Sequence, residues 1–283
     1  MSDLLGEIVT WDLRSTTIDY NVVKNALLQA GLPEDLAKEL TPQSAFGRAC
    51  RDLKKGRAID KLKMEHGIAS FQFTKKTADE SEIKFDFECL VQLDVDSGKV
   101  TCKDPGLQKL ATELIAAAMA SRNSQDVTNL VQKLFATHAD LIPINPRKGV
   151  AYFVPDQFTE FTEKVEAFMK RCGGNLARWP VPKGTPQGNA SVQETVNANL
   201  TSLLTELNET VDSWDSGTKK ETMERVQGRL DTIFYKVSAY DTYLGAEQSR
   251  LRDEVAKAKE ALTKKIFEVG PKDEQTEIGR AVQ

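Results

Sequence analysis

The last third of the chain carries two heptad-like apolar seams separated by a short polar turn, a pattern that restricts this region to packed helices. Ser191 and Glu194 stand at capping-box spacing, in which each side chain meets a free backbone N–H at the other position. Val192, Val196, Leu200, Leu203, Leu207, Val211 and Trp214 then recur at steps of three or four, which keeps one apolar stripe on a helix. Asp215, Ser216 and Gly217 interrupt the seam. Thr218 and Glu221 repeat the capping spacing ahead of Met223, Val226, Leu230, Phe234 and Val237. The two segments predict a long antiparallel α-helical hairpin, coiled-coil-like in its periodicity.

The two arms differ in length. Ser191 to Trp214 would make a helix of roughly 36 Å, whereas Thr218 to Val269 would make one of roughly 78 Å before Gly270 and Pro271 end it. The first arm therefore covers only part of the second. Leu251, Val255, Ala258, Leu262 and Ile266 prolong the seam, so this distal half must pack on the N-terminal region, on a second copy or on another protein. Leu244, Leu251, Val255, Leu262 and Ile266 are accordingly the expected interface residues, and Gly245 is a place where the chain could bend back.

With 283 residues, the chain has length for one large or two ordinary domains. No apolar run approaches the roughly 20 residues that span a bilayer, and Met1 to Thr10 lacks the basic start and apolar stretch of a secretion signal. Cys50, Cys89, Cys102 and Cys172 stand singly, as expected of free thiols in a reducing compartment, so a cytoplasmic location is the expectation. Charge is spread evenly: 14 basic and 17 acidic residues lie from Lys183 onward, within a formal net charge of −4. Wholesale wrapping of nucleic acid by a polycation is not expected, whereas a local basic patch stays open.

Before the hairpin the pattern is mixed. Ile8 to Arg14 alternates like a strand, and Asp19 caps a helix in which Val22, Val23, Ala26, Leu27 and Ala30 make one face before Gly31. Shorter helical patterns cover Glu34 to Leu40 and Ala45 to Leu53. Alternating runs at Ile68 to Thr74 and Ile83 to Val91, with a turn over Thr77 to Ser81, predict antiparallel strands, and Asp96, Ser97 and Gly98 predict a further hairpin between Val95 and Val100. Asp104 and Pro105 return the chain to helix, Ser124 opens another, and a small hairpin turns at Pro146 and Gly149. Pro155 leads a helix ending at Gly173, and Leu176 to Val181 reads as a last strand. The expected fold is α+β: a mixed helix and antiparallel-sheet domain at 1–104, a second α+β subdomain at 105–182, the helical hairpin at 183–270 and a polar tail at 271–283.

Chemistry-bearing motifs are sparse. His66 and His138 are far apart and have no cysteine cluster beside them, and no GxSxG, HExxH, Walker loop or GxGxxG is present, so neither cofactor nor metal nor catalytic residue is assigned. The one concentrated charge is Arg48 to Lys63, where Arg48, Arg51, Lys54, Lys55, Arg57, Lys61 and Lys63 face only Asp52 and Asp60. Three short helices followed by a hairpin resemble a winged helix-turn-helix in outline. On that reading Arg48, Arg51 and Lys55 share a helix face suited to phosphates or base edges. The competing reading is a solvated cationic face.

Trp11, Leu13 and Arg14, SAFGRA at Ser44 to Ala49, FQFT at Phe71 to Thr74, YFVP at Tyr152 to Pro155, RWPVPKGT at Arg178 to Thr185 and SVQET at Ser191 to Thr195 occur in order along most of the chain. Together they resemble a family of bacterial and phage-associated proteins without an assigned activity. The resemblance implies a bacterial or phage setting and no catalytic residues. Two functions are therefore expected. The first is a non-enzymatic assembly, scaffold or partner-binding protein that works through the helical hairpin as a homo-oligomer or with a protein partner. The alternative is a nucleic-acid-binding protein that uses residues 48–63.

Overall fold

The computed structural model describes residues 3–14, 17–54, 56–78, 83–145 and 150–269. In chain order the elements are β1 (Leu4–Asp12), β2 (Ile18–Asp19), α1 (Tyr20–Gln29), α2 (Pro42–Asp52), β3 (Arg57–Lys61), β4 (Ile68–Ala78), β5 (Ile83–Asp94), β6 (Val100–Cys102) and α3 (Pro105–Ala120). There follow β7 (Ser121–Arg122), α4 (Ser124–His138), β8 (Ile142–Pro143), β9 (Tyr152–Pro155), α5 (Thr159–Arg171) and β10 (Asn175–Pro182). The last elements are α6 (Pro186–Asp212), α7 (Lys220–Ala239), the single turn α8 (Asp241–Leu244) and α9 (Glu247–Val269). The fold is α+β with antiparallel strand pairing. It forms two compact units. A bundle unit comprises Met1–Trp11, Ala139–Phe161 and Ala177–Gln283, and a meander unit comprises Asp12–His138 and Thr162–Leu176. The boundaries expected at 104 and 182 do not coincide with this division: α3 and α4 share a unit with the meander, and the first strand shares one with the C-terminal helices.

The meander unit follows from local signals that agree with one another. Asp19 accepts a hydrogen bond from the Asn21 N–H at 2.8 Å to start α1, and Thr41 accepts from the Ser44 N–H at 3.2 Å to start α2. Strands β3, β4, β5 and β6 pair in chain order. Alternation sends Ala69, Phe71 and Phe73 of β4, with Cys89, Val91 and Leu93 of β5, to one face. Ala45, Phe46, Ala49 and Cys50 of α2 and Leu107, Ala111 and Ile115 of α3 complete that core. The β5–β6 turn works as its sequence suggests, with the Asp94 carboxylate accepting from the N–H groups of Asp96 and Ser97 at 3.1 and 2.9 Å. The capping group of α4 is Asn123 rather than Ser124. Its side chain accepts from the Asp126 N–H at 2.9 Å, and Asp126 accepts from the Asn123 N–H at 3.0 Å. Glu34 to Leu40 provides only one 3-10 turn, Glu34–Leu36.

The bundle unit joins a sheet, in the order β10-β1-β9-β8, to α6, α7 and α9. The 78 Å helix does not exist. Helix α7 stops at Ala239, Gly245 takes φ +52°, a conformation that L side chains rarely adopt, and α9 returns as the third helix of a bundle. Gln193 of α6 closes the break by donating to the Leu244 carbonyl at 2.9 Å. Three details of the hairpin expectation also change. Ser191 lies inside α6, which begins at Pro186; Thr218 serves the turn, where its hydroxyl accepts from the Asp215 N–H; and Ile233 rather than Phe234 fills the seam. Phe234 is 57% exposed against 3% for Ile233. The Thr77 to Ser81 turn in part, the Pro146 to Gly149 turn, Gly270, Pro271 and the tail at 271–283 lie outside the described residues.

Candidate functional site

Residues 48–63 fold as the end of α2, a turn and the edge strand β3, so the cations do not share one helix face. Arg48 is committed to a carboxylate. Its two terminal nitrogens donate to both oxygens of Asp126, at 2.6 and 2.5 Å. Burial works against the Asp126 carboxylate, but the bonds from Arg48 and the Asn123 N–H, with the charge of Arg122, hold it below the usual carboxylate range. Arg57 is committed in the same way to Glu88, at 2.7 and 2.9 Å, and that bonding pulls Glu88 down and Arg57 up. Arg51, Lys54, Lys61 and Lys63 remain exposed. Lys55 lies outside the described residues. The winged-helix reading does not hold, because the middle helix shrinks to one turn and Arg48 is used to fasten α2 to α4.

No sequence motif marks Arg122, yet among the described residues it is the most deeply placed cation of the meander unit, 6% exposed. It donates to the carbonyls of Met119, Ser121 and Lys38 at 3.2, 2.7 and 3.0 Å, and its guanidinium lies 4.3 Å over the Tyr20 ring. Burial lowers its pKa, partly offset by the charges of Asp126 and Tyr20. Beside it opens a cleft of about 210 Å³, walled by Val23, Leu36, Leu40, Val127 and Leu130, with Lys38, Asn129 and Lys133 among its polar groups. No sequence motif announces this site, because its residues come from α1, the 3-10 turn and the segment after it, β7 and α4.

The expected interface residues lie inside the bundle. Leu244 and Leu251 are fully buried, and Val255, Leu262 and Ile266 are nearly so, packed with α6 and α7 in one apolar cluster. The seam that had no partner in the sequence is filled by the chain's own helices. A larger, more polar pocket in this unit is bordered by Asp156, Lys183, Gln193 and Tyr243. There the Tyr243 hydroxyl donates to the Leu5 carbonyl at 2.9 Å and stands 3.1 Å from Asp156.

Among the described residues no cluster of His, Cys, Asp and Glu could hold a metal ion, and no helix is long and apolar enough to cross a membrane. The four cysteines are free thiols. Burial pushes Cys50 and Cys89 up to about 12 and Cys172 up to about 11, from an ordinary 9.0. These thiols are therefore expected to react with Ellman's reagent at pH 8 only as the protein unfolds. Because the unfolded chain releases their protons first, stability is expected to be insensitive to them below pH 9 and to fall as pH rises from 9 toward 12. Denaturant titrations at pH 8, 9.5 and 11 check the sign.

The model of a family of unknown function, DUF6744, matches residues 4–269. The chain belongs to the DUF6744 family. The match runs from β1 to the end of α9, so both units are family property rather than one of them being an addition. No curated protein matches the chain, and no solved structure does. Several motif residues of this DUF6744 chain serve the fold: Phe46 meets Phe71 edge-on at 5.3 Å, Trp11 stacks on Tyr152 at 5.1 Å, and Arg178 pairs with Glu7.

Proposed function

We propose that the protein is a non-enzymatic binding protein that meets a nucleic acid through the meander unit. The observation that carries this reading is the sorting of the basic segment into two classes. Arg48 and Arg57 are spent on Asp126 and Glu88, whereas Arg51, Lys54, Lys61 and Lys63 face solvent at the end of α2 and along and just beyond the edge strand β3. Exposed cations of this kind suit phosphates, which position a polymer without reading its sequence. Asp52 and Asp60 stand among them, so modest affinity that weakens steeply with salt is expected. Replacing all four cations by alanine should weaken binding to a fluorescent 20-mer at least about tenfold at low salt, and each single change should lower the salt slope by about one. Fluorescence anisotropy at several salt concentrations tests this. Unchanged binding by the quadruple variant would remove the surface from consideration.

A second reading, assembly through the C-terminal helices, is favoured by Phe234 and Tyr235, which are 57% and 69% exposed on the outside of α7. On this reading the bundle is a rigid element whose outer face, not its seam, meets a second copy or a protein partner. Light scattering across a concentration series, with absorbance at 260 and 280 nm at low and high salt, separates the two. A mass that doubles and returns to monomer in Phe234→Ser/Tyr235→Ser would support assembly. A salt-releasable 260 nm component would support nucleic-acid binding. A bacterial or phage setting and a cytoplasmic location complete the proposal, on the resemblance of the RWPVPKGT and SVQET segments and on the unpaired thiols.

A further inference from the structure

The cleft of the meander unit has the composition of a small-ligand site, and none of the exposed cations of residues 51–63 lines it. Its walls are aliphatic, from Val23, Leu36, Leu40, Val127 and Leu130. Its buried cation is Arg122. A guanidinium has five N–H donors, and three of these go to the carbonyls of Met119, Ser121 and Lys38. The Nε–H and one Nη2–H have no acceptor among the described residues, on a side chain that is 6% exposed. A clamp on the backbone accounts for the first three donors and leaves these two open to a ligand or to water in the cleft that Arg122 lines.

The charge balance points the same way. Among the described residues Asp126 is the only carboxylate lining the cleft, and its two oxygens are already taken by Arg48. Arg122, Lys38 and Lys133 therefore leave the cleft cationic. A volume of about 210 Å³ lies below the roughly 300–1,000 Å³ of sites for drug-sized molecules, so the occupant is small. We propose that this cleft binds a small aliphatic carboxylate. Its carboxylate accepts the two remaining Arg122 donors, and its hydrocarbon chain lies against Leu36, Leu40, Val127 and Leu130. A carboxylate suits the planar guanidinium fork, and aliphatic walls suit a hydrocarbon tail.

Hexanoate serves as the probe, titrated into the full-length protein and followed by calorimetry and by amide chemical shifts. The expected result is saturable one-to-one binding, with the largest shifts at Val127 and Leu130. Hexanamide, which has the same shape without the charge, should bind at least about tenfold more weakly. Inorganic phosphate, which has no tail, should not compete. Arg122→Gln should abolish binding. Because that change also removes a clamp and could unfold the unit, Leu40→Trp provides the second variant, which enlarges a side chain of the cleft wall and leaves Arg122 in place. It too should abolish binding while the folded spectrum persists. Absence of saturation, equal affinity for hexanamide, competition by phosphate, or undiminished binding in Leu40→Trp would each overturn the assignment.

Discussion

Leu251→Asp is expected to unfold the helical bundle rather than to split an oligomer. Leu251 is fully buried at the start of α9, in the cluster shared with α6 and α7. Truncation to alanine at such a site costs about 2–5 kcal/mol through lost transfer energy and the cavity left behind. An aspartate adds an unpaired charge in apolar surroundings, so the total should pass about 4–5 kcal/mol, a large part of the stability of most domains. Circular dichroism at 222 nm through a urea titration reads the loss, with Leu251→Ala giving the intermediate step. Leu262→Asp, 3% exposed near the far end of the same helix, should behave alike. If either aspartate variant kept its helicity and midpoint and merely halved its mass, the seam would be intermolecular, and the return of α9 onto α6 and α7 would be wrong.

The difference between this expectation and a dissociating hairpin turns on one glycine. The apolar steps from Met223 to Ile266 run on nearly without interruption, so period alone cannot tell one long helix from two that fold back. Gly245 carries the distinction, but a glycine lowers helix stability by only about 1 kcal/mol, too little to force a break. What makes the break favourable is tertiary: the Leu244 carbonyl finds Gln193, and five apolar side chains of α9 find α6 and α7. Where local and tertiary preferences agree, as at Asp19, Asp104 and the Asp94 turn, the elements are legible in the sequence. The edge strand β3 was hidden because Arg57 and Lys61 read as charge rather than as strand. The cleft was hidden for another reason. Arg122, Leu40 and Leu130 lie up to 90 residues apart, and no spacing rule joins them. The basic segment was legible as a concentration of charge. That Arg48 and Arg57 are spent could not be read, because Asp126 lies 78 residues from Arg48 and Glu88 lies 31 from Arg57.

Arg178→Met is expected to destabilise the sheet of the bundle unit strongly. Glu7 on β1 is a buried carboxylate, 3% exposed, and Arg178 on β10 donates to both of its oxygens, at 2.5 and 2.7 Å. Removing the arginine leaves a carboxylate in a low-dielectric site, a change that costs about 3–5 kcal/mol in comparable buried pairs. The pair itself need not stabilise the fold by that amount, because bringing both charges out of water offsets most of their attraction. Glu7→Gln/Arg178→Met, which removes both charges, should therefore recover much of the loss. The double-mutant cycle, read as urea midpoints of the four proteins, gives the coupling directly. A coupling near zero, with Arg178→Met as stable as the wild-type chain, would mean that Glu7 finds water or another donor, and the β1–β10 edge would not depend on this ion pair.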